Sequence, residues 1–123
     1  MKKSIVLLSL LFAMLTLSSC GEKQKAKKLV KTFLTENLQD NRFGGAEFSR
    51  LDSTFFINDS VLSAMQTTAM NDKLFKRMKL DGKRGKSGKL MFIHVRYFLN
   101  ADTIRQTFYM DENLERVISF KKD

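Results

Sequence analysis

The stretch LMFIHVRYFL, residues 90–99, has the two-residue period of a β-strand. Met91, Ile93, Val95, Tyr97 and Leu99 fall on one face, apolar apart from a single phenol hydroxyl. Leu90, Phe92, His94, Arg96 and Phe98 fall on the other, which is mixed. Alternate side chains of a strand point to opposite sides, so the run predicts a sheet with one buried face. Downstream, Asn100-Ala101-Asp102 supplies a turn into TIRQTFYM (103–110), and Asp111-Glu112-Asn113 another into LERVISFK (114–121). Three strands joined by tight turns form an antiparallel meander.

Upstream the period changes. Ala26, Leu29, Val30, Phe33, Leu34 and Leu38 recur at three- and four-residue steps, with Lys25, Lys27, Lys28, Lys31 and Glu36 on the other side. This predicts an amphipathic helix over about 24–40, stopped by Gly44-Gly45. AEFSRLDSTFFI (46–57) reads as a further strand. Asn58-Asp59-Ser60 offers an N-cap for a second helix, whose apolar face takes Val61, Leu62, Met65 and Ala69 and later Leu74, Phe75 and Met78. Met65, Met70 and Met78 read as core filler rather than as ligands. The expected fold class is α+β: an N-terminal amphipathic helix and a second helix packed on an antiparallel sheet of about four strands.

A chain of 123 residues with 43% hydrophobic residues and 11 Phe supports one core and one domain. These numbers and the single cysteine exclude a multidomain enzyme, a polytopic membrane protein and a disulfide-stapled toxin. The N-terminus is a different kind of segment. Lys2 and Lys3 precede an apolar run from Ile5 to Leu17, too short for a comfortable membrane span, and small residues lead to Cys20. Leu17-Ser18-Ser19-Cys20 resembles the lipobox of bacterial lipoproteins. The resemblance implies that residues 1–19 are a signal peptide and that Cys20 receives a diacylglycerol. A thiol is nucleophilic enough for that transfer, and several acyl chains hold a protein stably on a bilayer. Residues 20–25 are then the lipidated Cys and a short tether, and 26–123 the folded domain. Gly21 stands where an inner-membrane retention signal would place Asp, and residues 21–28 are basic rather than acidic. The expected location is the outer membrane, facing the periplasm, with no nucleic acid among the partners.

The order of elements behind a lipobox resembles the small envelope lipoproteins of Bacteroidota, some with cystatin-like or NTF2-like cores. KKLVKTFLTENLQD (27–40) and EFSRLDSTF (47–55) carry that resemblance. It brings no catalytic residue with it.

Few motifs carry chemistry. The segment 80–89, LDGKRGKSGK, contains Gly85-Lys86-Ser87, but Leu80 stands where a phosphate-binding loop needs its first glycine. It also leaves a helix and enters a strand, the reverse of the order that aims amides at a phosphate. What remains is a basic loop whose Lys83, Arg84, Lys86 and Lys89 suit an anionic glycan, a lipid headgroup or an acidic envelope protein. The plainer alternative is a solvated turn. His94, the single histidine, lies beside Arg96 on the mixed strand face, where Asp102 or Glu115 is the expected neighbouring carboxylate. No metal site or cofactor is expected, since one His and one lipidated Cys are the sole nitrogen and sulfur ligands. Asp52-Ser53-Thr54, Asp59-Ser60-Val61 and Asp102-Thr103-Ile104 resemble the O-glycosylation acceptors of Bacteroidota, which need exposed hydroxyls. Without Lys2 and Lys3 the chain keeps 20 basic against 13 acidic side chains, a net +7. The expectation is a lipid-anchored, non-enzymatic binding module that uses loop 80–89 and one sheet face. The alternatives are a small NTF2-like pocket enzyme using His94, or an inhibitor or immunity-type lipoprotein.

Overall fold

The computed structural model describes residues 21–123, so the expected signal peptide and Cys20 lie outside the described residues. Helix α1 covers 21–37, followed by strands β1 (Phe43–Phe48) and β2 (Asp52–Thr54) and helix α2 (Asp59–Met70). Strands β3 (Leu90–Leu99), β4 (Asp102–Met110) and β5 (Val117–Lys122) complete the chain. The fold is α+β, with all strand pairs antiparallel. β3 pairs with β4 and β4 with β5, as the meander requires. On its other side β3 takes β1 along its second half and β2 along its first, so the sheet has five strands. The expected single strand over 46–57 is therefore two short pieces, separated at residues 49–51.

The apolar face of β3 is the buried one. Ile93, Val95 and Tyr97 are at most 2% exposed, and Phe108 and Phe120 complete the floor from β4 and β5. Onto this face α1 lays Ala26, Val30 and Leu34, one per turn and all fully buried, with Leu29 and Phe33 beside them and Leu38 just past its end. Phe33 meets Phe108 edge-on at 5.7 Å between ring centroids, and Phe108 stacks on Phe120 at 5.4 Å. Each such burial is worth about 1.5–3 kcal/mol. The one hydroxyl on this face is answered: Tyr97 Oη donates to Gln106 Oε1 at 2.8 Å. Burial pushes the Tyr97 phenol pKa well above its ordinary value.

α1 begins and ends earlier than its expected 24–40 range. Residues 21–25, expected as a tether, are helical, and Lys25 Nζ donates to the Asn113 carbonyl at 2.9 Å. At the other end, Leu38 forms a bridge with Phe75 and the Gln39 amide donates to the Leu74 carbonyl, so the chain leaves the helix well before Gly44. Gly44 and Gly45 are not helix stops. They lie in β1, where the register against β3 shifts between Gly44 and Glu47 and Gly45 adopts φ 62°. A left-handed glycine at an extra residue is a β-bulge, and the ring of Phe98 lies over it.

α2 starts where expected. Asn58 caps it, its Oδ1 accepting from the Val61 amide at 2.8 Å. The helix stops at Met70, although apolar residues continue. Asn71 takes the C-cap, and Asp72 Oδ1 accepts from the Leu74 amide at 3.0 Å, a local turn that competes with the next helical bond. Leu74, Phe75 and Met78 still reach the main core, from an irregular segment. α2 packs along β5, and its Leu62 and Met65 cover Leu90, Phe92 and Tyr109 on the second sheet face. Gln66, also buried, donates through Nε2 to the carbonyls of Gly82 and Ile118.

Candidate functional site

The six residues singled out in the sequence fall into two separate places. Loop 80–89 sits at the end of the sheet where β3 begins and β4 finishes, against α2 and the β4–β5 turn. Arg84 is folded down onto Asp59 at the start of α2, Nε to Oδ1 3.0 Å. That hydrogen bond holds the Asp59 carboxyl below its usual range. Ser87 Oγ donates to Glu112 Oε2 at 2.9 Å and accepts from the Lys89 amide, which fixes the loop tip. Lys83 and Lys86 point to solvent and Lys89 is half-buried. None of these three lysines has an ion pair among the described residues. Arg84 is thus a latch within the fold rather than part of a contact surface.

His94 and Arg96 lie farther along β3, about 13 Å from the loop to the histidine at the usual strand rise. Between them stand Leu90 and Phe92 under α2, so loop and sheet face do not form the single surface expected. Beyond α2 this second face is open. His94 is 54% exposed, and with Arg96, Glu47 and Arg105 it borders a hollow of about 340 Å³. The opposite face, under α1, carries the main core, and His94 points away from it.

Hydrogen bonds order the polar residues here. Thr107, directly across from His94, donates its hydroxyl to Asp123 Oδ1 at 2.6 Å. A hydroxyl has one proton, so Thr107 Oγ1 accepts from His94 Nδ1, 2.7 Å away. The neutral ring is held as its Nδ1–H tautomer, leaving the Nε2 lone pair unused by this relay. Asp123 Oδ2 is 3.7 Å from Nδ1. The expected carboxylate partners are not the ones used: Asp102 is at the β3–β4 turn and Glu115 in the β4–β5 turn. Behind β3, Ser49 fills the gap between β1 and β2, its Oγ accepting from the His94 amide at 2.9 Å.

Next along the strands, Arg96 and Arg105 face each other in register across β3 and β4. Arg96 pairs with Glu47 on β1, yet its buried Nε has no acceptor. Arg105 has no ion pair among the described residues. Like charges directly opposite in a sheet are unfavourable, and an anion between them relieves the repulsion. No family model, no curated protein and no solved structure matches this chain. The chemistry must therefore be read from the side chains.

Sequence reasoning missed Arg105, Thr107, Asp123 and the pair Phe55-Phe56. The first three become neighbours of His94 and Arg96 only through strand register. Phe55 and Phe56 had a signal: adjacent aromatics in a strand cannot both face one core. Both are exposed in the turn between β2 and α2. Ser53, Ser60 and Thr103 are also exposed, as glycan acceptors would have to be. Among the described residues no cluster of three His, Cys, Asp or Glu side chains suits a metal ion.

Proposed function

We propose that this chain is a lipid-anchored binding module of the bacterial envelope that captures an anionic group on the open face of its sheet. The anchor reading rests on the lipobox-like Leu17-Ser18-Ser19-Cys20, and Gly21 with the basic segment 21–28 supports the outer membrane, facing the periplasm, as its setting. The observation that carries the binding role is the opposed pair Arg96 and Arg105, in register on an uncovered face. The His94 and Thr107 protons are used within their own relay, so the donors for a carboxylate or phosphate are the two guanidinium groups. The Thr107 hydroxyl beside His94 is buried and gives its proton to Asp123 rather than to the ring, which favours recognition over turnover.

Titration of the full chain with polygalacturonate and, separately, inorganic polyphosphate tests the reading. Binding of one polymer that weakens steeply with salt and is lost in Arg96→Gln/Arg105→Gln is the expected result. A double variant that binds as the native chain does, or a native chain that holds neither polymer at low salt, overturns it. Mass spectrometry of protein extracted from membranes checks the lipid on Cys20, which Cys20→Ser must abolish.

A further inference from the structure

Phe56 is 95% exposed and Phe55 60%, and among the other described Phe and Tyr rings Phe98 alone is also exposed. Both rings sit at a defined place. Thr54 pairs with Leu90, so the chain leaves β2 beside the start of β3, where loop 80–89 enters the sheet. Val61, in the first turn of α2, is exposed nearby, and the Arg84–Asp59 pair fastens the loop to that same turn. An apolar knob is thus set next to Lys83, Lys86 and Lys89.

Most carboxylates at this end have a partner: Asp59 is held by Arg84, Asp81 by Lys79, Glu112 by Ser87, and Asp111 by the amides of Glu115 and Arg116, while Glu115 has no ion pair among the described residues. Lys83, Lys86 and Lys89 have no ion pair among the described residues, so no contact cancels their charge. Residue 21 is placed at this end as well, because Lys25 of α1 reaches the β4–β5 turn. A lipid on the adjoining Cys20 would therefore attach the domain by the same end.

We infer that this end docks on an anionic bilayer, with Phe55 and Phe56 among the headgroups and Lys83, Lys86 and Lys89 on their phosphates. Aromatic rings favour the membrane interface, and basic residues next to them bind anionic lipid. The inference rests on the anchored reading for its setting but not for its chemistry. It also gives the molecule an orientation, since His94, Arg96 and Arg105 lie along the strands away from this end.

The chain contains no tryptophan, so Phe56→Trp introduces a single reporter at an exposed position. The full chain carrying it is placed on vesicles of phosphatidylethanolamine with phosphatidylglycerol, and on phosphatidylcholine vesicles. Blue-shifted emission and quenching by bromine-labelled acyl chains on the anionic vesicles are expected. Adding Lys83→Gln, Lys86→Gln and Lys89→Gln should lower the docked-to-undocked ratio roughly a hundredfold at low salt. An indole at its water-exposed wavelength on anionic vesicles overturns the docking and leaves this end to an acidic protein. Equal shifts on both vesicle types overturn the role of the lysines. The mass at Cys20, read on the same sample, separates the two readings. Lipidated chain with an unshifted indole keeps the anchor and loses the docking; unlipidated chain that still shifts does the reverse.

Discussion

Gly82 is buried where loop 80–89 crosses β5. A Cβ at this position would stand 2.6 Å from Ile118 Cδ1 and 2.7 Å from Arg116 Nη2. The guanidinium can swing away, but Ile118 is packed under α2 and cannot. Gly82→Ala should therefore cost about 1–3 kcal/mol, read as a lower urea midpoint with an unchanged slope. At His94 the readout is the tautomer. Thr107→Val removes the acceptor of the Nδ1 proton, so the neutral ring should gain the Nε2–H form, visible in imidazole nitrogen shifts. Unchanged shifts would mean that the relay does not set the ring. His94 and Arg96 were legible as members of a mixed strand face from alternation alone. Arg105 and Asp123 were not, because which residue stands opposite another depends on turn length and bulges, and those are set in three dimensions.

At the scale of elements, helix α1 and the meander were the most legible parts, since their apolar periods are long and uninterrupted. The edge strand was not. Gly44-Gly45 carries the same signal for a helix stop as for a bulge, and the partner strand decides between them. At Gly45, φ 62° and a Cβ position 2.6 Å from the Phe98 ring exclude larger residues. Gly45→Ala should cost about 1–2 kcal/mol from backbone strain alone, measured by thermal or urea unfolding. α2 was legible at its start and not at its stop. Its apolar spacing continued through Leu74 and Phe75, but the Asp72 side chain offered the backbone a better local partner. Asn58→Ala, which deletes the cap on Val61, should lower stability by about 1 kcal/mol and speed amide exchange in the first turn. An unchanged exchange rate there would show the turn is held by packing alone.

For the molecule as a whole, two surface carboxylates lend a pH dependence. Asp40, hydrogen-bonded by the Arg42 side chain, has its pKa lowered from 3.8 to about 2, and Asp59 is lowered by Arg84. In the unfolded chain both return to ordinary values and take up protons first as acid is added. Their stabilising contribution is present above about pH 4 and fades as pH falls through the folded value near 2. Urea midpoints should decline over that window, and Arg42→Gln should flatten part of the decline. The core itself, α1 on the apolar face of β3, is where sequence and structure agree best, because burial of that face is the dominant free-energy term. The two sides of the sheet have a further consequence. A long, straight outer strand is a template on which a second copy can add. Here one margin is broken at residues 49–51 and kinked at Gly45, and at the other Gln66 of α2 takes the Ile118 carbonyl of β5. Neither margin offers an unbroken ladder, so copies of this domain have no rail along which to polymerise.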